Sequence, residues 1–168
     1  ARARIDADFA PWLLAFSGDG ARVAGSRERH IAVWDVADGR RIPLTVRREL
    51  GEFNAVDLSS DGRILAASAV ARNASVDLVL WDLATGEELA PPLRAHNPVV
   101  GGTPEGQLIL TERWLVSSGC DGVVTWDLDD AAMRRRACDL AGRELTAAEV
   151  DRFFWSKALE RSLCSGAR

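Results

Sequence analysis

The chain has 168 residues, 47% of them hydrophobic and 27% charged, with a formal net charge of −4. That is the mix of a globular protein long enough to bury a core. The weakly negative balance argues against a nucleic-acid binder or a polybasic membrane anchor. Both need a basic excess or stripe.

In chain order, the first pattern is an alternating run ending at Phe16, followed by Ser17-Gly18-Asp19-Gly20, an Asp-Gly hairpin signal. A second strand follows at Arg22–Ser26 and a third at Ile31–Val36, which carries Trp34-Asp35. The apolar residues Ile31, Val33 and Val36 around Trp34 mark a half-buried strand. Asp38-Gly39 is a turn signal, and Arg41-Ile42-Pro43-Leu44 reads as an outer strand, where a proline is tolerated.

The same order then returns. Leu58-Ser59-Ser60-Asp61-Gly62 is the hairpin, Arg63–Ser68 the second strand, and Leu78–Leu83 the third strand, with Trp81-Asp82. Thr85-Gly86 is the turn and Glu88–Leu93 the proline-bearing outer strand. About five extra residues fall in the loop Ala71–Ser75. A third copy has Trp114–Ser118 and then Val123–Leu128 around Trp126-Asp127. Its first strand lies within Val99–Thr111 in either of two registers, because Thr103-Pro104-Glu105-Gly106 reads as an early turn. The three Trp-Asp pairs are 47 and 45 residues apart.

A fixed period of this length, with the same strands and turns around each Trp-Asp pair, resembles the WD-repeat family, whose repeats of about 40–45 residues each form one blade of a β-propeller. The resemblance covers Trp12–Leu128. The Gly-His pair that usually opens a repeat is missing, and Ala95-His96 is its nearest echo. The resemblance implies an all-β fold of about three WD-type blades, a partial propeller, near residues 12–46, 52–94 and 98–128 of a region 1–128. Trp34, Asp35, Trp81, Asp82, Trp126 and Asp127 are then structural repeat residues, the tryptophans for packing and the aspartates for turns or networks. His96, Ser118, Asp121 and Trp126 are candidates for the buried hydrogen-bond network of such blades.

From Asp129 to Arg168 the pattern becomes helical. Asp130 can cap a helix that Gly142 ends, and Thr146-Ala147-Ala148-Glu149 is a capping box ahead of Val150, Phe153, Phe154 and Ala158 on one face. A short α-helical tail over 129–168 is therefore expected. The run Ala137-Cys138 through Glu149, with Cys164 after it, resembles the tail of large multidomain bacterial WD-repeat proteins. Glu144 and Val150 stand where those have Asn and Trp. That resemblance implies the C-terminal part of a larger protein. A start at Ala1 rather than Met, without a signal-peptide core, agrees with a piece of a longer chain or a processed product.

Candidate chemistry is sparse. His30 and His96 are the only histidines, and His30 has no nucleophile motif near it. Cys120, Cys138 and Cys164 lack metal-ligand spacing, and their odd count points to a reducing cytoplasm rather than a secreted disulfide framework. Cys138 and Cys164 bracket the tail and are either paired or simply packed. Arg134-Arg135-Arg136 lies among aspartates and reads as a solvated helix face. Asn73-Ala74-Ser75 is a glycosylation sequon only in a secreted protein.

The expected function is a protein–protein interaction scaffold or regulatory module in a cytoplasmic bacterial signalling protein. No catalytic residue, cofactor, metal, nucleic acid or membrane is expected. The partners are other proteins, other domains of the same polypeptide, or copies of the open arc itself. The loop Ala69–Ser75 and Arg27, Arg29, Arg47 and Arg48 are candidate contact points. The alternatives are a fragment without independent function, and a propeller enzyme, for which the inner strands offer only Asp57 and Glu112 as carboxylates.

Overall fold

In a computed structural model the described residues are 5–46, 50–70, 75–97, 106–129, 131, 135, 136 and 139. They fold as an all-β array of three antiparallel sheets. Sheet 1 contains β1 (Leu13–Phe16), β2 (Arg22–Arg27), β3 (His30–Asp35) and β4 (Arg41–Ile42), in that order. Sheet 2 contains β5 (Glu52–Leu58), β6 (Ile64–Val70), β7 (Val76–Asp82) and β8 (Glu87–Glu88), and β9 (Leu93–His96) also pairs with β7. Sheet 3 contains β10 (Leu108–Leu110), β11 (Trp114–Gly119) and β12 (Gly122–Asp127). The chain divides into two units, Ala1–Thr125 and Trp126–Arg168.

Strand and turn chemistry repeat closely between sheets 1 and 2. Trp34 pairs with Val23 on one side and Arg41 on the other, and Trp81 pairs with Leu65 and Glu88. Both tryptophans therefore hold the same place on the third strand. The first hairpins match as well. The Ser17 hydroxyl donates to Asp19 at 2.5 Å and accepts from the Arg22 amide at 2.9 Å. Ser59 donates to Asp61 at 2.7 Å and accepts from the Ile64 amide at 2.9 Å. Gly20 and Gly62 close these turns at φ of +69° and +64°, a region glycine enters without steric cost. In sheet 3 the hairpin is shorter. Leu110 pairs with Leu115, and the Thr111 hydroxyl accepts from the Trp114 amide at 2.8 Å.

Each strand alternates faces, so each sheet has a front face, bearing the tryptophan, and a back face. The back face of sheet 1 (Ala24, Ile31, Val33) packs on the front face of sheet 2 (Leu58, Leu65, Ala67, Val79, Trp81) in one buried cluster. On sheet 2 the back face carries Ala66, Leu78 and Leu80, all buried, and on sheet 3 the front face carries Leu108, Leu110 and Leu115, also buried. The first strands lie side by side: β5 neighbours both β1 and β10. Asp57 on β5 fastens the second junction, accepting from the Leu110 amide at 2.7 Å and the Leu58 amide at 2.9 Å. On the front of sheet 1, Val23, Ala32 and Trp34 are covered by Ile5, Phe9 and Val36.

Two expectations need correction, and one left open is decided. The outer strand of sheet 1 is only Arg41–Ile42, ending where Pro43 removes a backbone donor. The outer strand of sheet 2 is not continuous over Glu88–Leu93. It breaks at Ala90-Pro91-Pro92 and resumes as β9, where Leu93 pairs with Leu78 and His96 with Val76. The first strand of sheet 3 is Leu108–Leu110, the later part of the range left open in the sequence. In the tail, Ala131, Arg135, Arg136 and Asp139 are helical and exposed. Arg134, Cys138, Cys164 and the capping box at Thr146 lie outside the described residues, as do Arg47, Arg48 and Asn73-Ala74 of the sequon.

The turn after β7 is expected to be the least tolerant of substitution. Gly86 has φ of +74°, its carbonyl accepts from the Thr45 amide at 2.7 Å, and a Cβ there would overlap the Pro43 carbonyl oxygen. Gly86→Ala combines a left-handed backbone cost of about 1–2 kcal/mol with that overlap. Chemical denaturation should show a loss of about 2–3 kcal/mol, against well under 1 kcal/mol for Ala84→Gly at an exposed position of the same turn.

Candidate functional site

The Trp-Asp pairs share one local chemistry. In all three, the aspartate carboxylate accepts from the amide two residues on: Asp35 from Ala37 at 2.8 Å, Asp82 from Ala84 at 2.7 Å, Asp127 from Asp129 at 3.0 Å. Such Asx turns end the third strand in each sheet, and in sheets 1 and 2 they lead into the fourth. The tryptophans differ in burial. Trp81 is fully buried and Trp34 nearly so, while Trp126 is half-buried on β12. The Trp81 indole N–H donates to the Thr45 carbonyl at 3.0 Å.

The densest polar cluster among the described residues is built on His96. This residue ends β9 and is 3% exposed. Its pairing with Val76 aims it off the back face of sheet 2, toward the front of sheet 3. Nδ1 bonds the Asp121 carboxylate, and Nε2 bonds the Ser117 hydroxyl at 2.8 Å. An ionised carboxylate only accepts, so the hydrogen between His96 and Asp121 sits on Nδ1. The second Asp121 oxygen accepts from the Asn97 amide at 3.0 Å and side chain at 3.3 Å. A Cβ on Gly119 would lie 2.6 Å from the His96 ring, so glycine is required there for the imidazole to lie against the β11–β12 turn. The group therefore clasps the end of β9 to the turn between β11 and β12.

The sequence reading placed Ser118 in this network, and the structure places Ser117 there instead. Ser118 lies one residue on and points to the back face, where its hydroxyl accepts from the Gln107 amide at 3.0 Å. His96 approaches from the front, so only the serine on the Leu115 side can meet it. Ser117, Gly119 and Asn97 were missed. Strand alternation from buried Leu115 was the signal that could have found Ser117.

Beside the imidazole is a cavity lined by Asn54, Ser68, Val76, Ser117 and Gly119, with room for about one water molecule. It is too small for a substrate. A larger hollow is an open cleft of about 320 Å³ between the first strands, lined by Leu13, Leu14, Asn54–Val56 and Gly106–Ile109. His30 is exposed at the start of β3, its ring 5.8 Å from that of Phe9. Cys120 is an exposed free thiol. Arg29 is exposed, and Arg27 lies over the Trp12 ring at 4.5 Å. Of the loop Ala69–Ser75, both end residues are buried and 71–74 lie outside the described residues. Glu112 is exposed in the β10–β11 turn. Among the described residues no helix is long and apolar enough to cross a membrane.

Among the described residues, three carboxylates are held below the usual aspartate value of 3.8. The Ser17 hydroxyl lowers Asp19, the Ser59 hydroxyl lowers Asp61, and the Asn97 amide followed by His96 lowers Asp121. A depressed carboxylate stabilises the fold above its unfolded value, and that stability is lost as pH falls through the lower folded value. Melting temperature should therefore fall as pH drops below about 5 and keep falling below the ordinary aspartate value. Asp61→Asn should reduce that slope while lowering stability at neutral pH, which calorimetry across the range would read.

Compared with models of known protein families, the sequence matches none, and no curated protein matches it.

Proposed function

We propose that the three sheets are WD-type blades of a partial β-propeller followed by a helical tail, and that the chain serves as a protein–protein interaction platform. It would form the C-terminal part of a larger cytoplasmic bacterial signalling protein. The observation that carries this reading is the repeated place of Trp34 and Trp81 on third strands, with the first strands β1, β5 and β10 side by side. The shared Asx turns at Asp35, Asp82 and Asp127 extend the repeat to the third sheet.

An open cleft lined by residues on and beside the three first strands suits contact with another protein's surface. Small-molecule sites usually enclose most of their ligand. The catalytic alternative depended on Asp57 and Glu112; both Asp57 oxygens accept backbone amides, which favours a structural role, and Glu112 is exposed in the β10–β11 turn. The test is affinity capture from a bacterial lysate with the intact parent polypeptide, followed by identification of what binds. A specific protein released by Asn54→Arg in the cleft supports the platform reading. Capture of nothing beyond control beads rejects it.

A further inference from the structure

The pairing of β5 with β6 shifts register between Phe53 and Ala55, so Asn54 is an extra residue in its strand. A bulge of this kind re-aims one side chain out of the regular alternation. Here it turns Asn54 to the cavity beside His96, where its Oδ1 accepts from the buried Ser68 hydroxyl. The amide nitrogen is turned toward Gly106, 3.6 Å from where a Cβ on that glycine would stand. The same point is 2.9 Å from the Ser118 carbonyl oxygen.

Ser117 lines the same cavity and is 2% exposed. The hydrogen between His96 and Asp121 is on Nδ1, so Nε2 is an acceptor and the Ser117 hydroxyl donates to it. That commits the only hydrogen of the hydroxyl. Its oxygen can still accept, and a buried acceptor is satisfied by a donor. Asn54, Ser117 and Ser118 thus bring an N–H donor and oxygen acceptors to a cavity with room for about one water molecule.

We infer that this cavity is a hydration site, in which one ordered water accepts from Asn54 Nδ2 and donates to Ser117 Oγ and the Ser118 carbonyl. The surrounding chemistry selects water over other small solutes. The Asn54 N–H repels a cation, the oxygen acceptors repel an anion, and anything larger does not fit. About three hydrogen bonds is the usual complement of a buried water, and such a water is costly to remove. Asn54, Gly106 and Gln107 line both this cavity and the open cleft, which gives water a short path in. Once bound, it joins β5 of sheet 2 to β11 of sheet 3. It also extends the clasp: hydrogen bonds then run in one direction from Asn54 through water, Ser117 and His96 to Asp121, and bonds aligned in this way polarise and strengthen one another.

A crystal structure of the full chain at atomic resolution should show one density peak within hydrogen-bond distance of Asn54 Nδ2, Ser117 Oγ and the Ser118 oxygen. No peak in the cavity, or one bonded to neither Asn54 nor Ser117, would overturn the inference. In solution, magnetic relaxation dispersion of the water oxygen counts long-lived waters. Val76→Ile adds a methylene at the cavity wall and should remove one of them. Should that variant fail to give the wild-type circular dichroism spectrum, Asn54→Leu carries the same count, because it removes the donor at nearly equal volume. An unchanged count in a folded variant would reject the site. Neither measurement bears on whether the cleft holds a protein.

Discussion

Trp81→Ala is expected to destabilise the chain by about 4 kcal/mol, the largest loss among the three repeat tryptophans. Removing a buried aromatic side chain costs about 3–5 kcal/mol in transfer energy and cavity formation. Trp81 is completely buried, in a cluster with Leu58, Leu65, Val79 and Leu83, so the surrounding side chains have little room to collapse. The change also strips the Thr45 carbonyl of its indole donor, worth about 1 kcal/mol. Trp34→Ala should cost about 3 kcal/mol. Trp34 packs against Gly25 and the Phe9 ring, and the half-buried Phe9 side chain can partly refill the space. Half-buried Trp126 should cost least, at about 1–2 kcal/mol. Urea denaturation of the three variants measures the order. Equal losses, or a larger one at Trp126, would contradict the account of which sheet junctions bury their tryptophans.

The second large effect is at His96. His96→Ala should cost about 3 kcal/mol. The substitution leaves a void between β9 and β11 and strands the Ser117 hydroxyl in a buried place. Serine substitutions separate this from simple loss of volume. Ser117→Ala should cost about 1 kcal/mol in the wild type and almost nothing once His96 is alanine. Ser118→Ala should give the same small value in either background, because its hydroxyl serves the Gln107 amide instead. A double-mutant cycle by chemical denaturation therefore expects coupling for His96–Ser117 and none for His96–Ser118. Gly119→Ala should resemble His96→Ala, since a methyl group there occupies the space of the ring. Hydrogen exchange should then accelerate at the amides of Asn97 and the β11–β12 turn while β2 and β3 keep their protection.

The features legible before folding are those set by neighbours along the chain. Alternation around Trp34 and Trp81 located the third strands, and Ser-x-Asp-Gly at residues 17–20 and 59–62 located the hairpins, because a serine, an aspartate and a glycine two to three residues apart satisfy one another within the turn. The aspartates after each tryptophan read as residues of turns or networks, and their Asx bonds span two residues. Of the expected group His96, Ser118, Asp121 and Trp126, the His96–Asp121 bond is present, while Ser118 bonds the Gln107 amide instead. The split outer strand of sheet 2 was not foreseen, although Pro91-Pro92 marks the place where a ladder of backbone donors must break.

Local sequence, then, determined where strands begin and turn, because alternation, proline and glycine act through the backbone of a few adjacent residues. It did not determine which face of a strand would be covered. Ile31 and Val123 occupy the same repeat position with similar apolar side chains, and one is buried while the other is exposed. Ser117 and Ser118 are chemically identical, and only the one facing His96 enters the clasp. Those outcomes depend on whether another sheet lies about 10 Å away on a given side. That neighbour comes from residues tens of positions distant, so the pattern of any one strand carries no record of it.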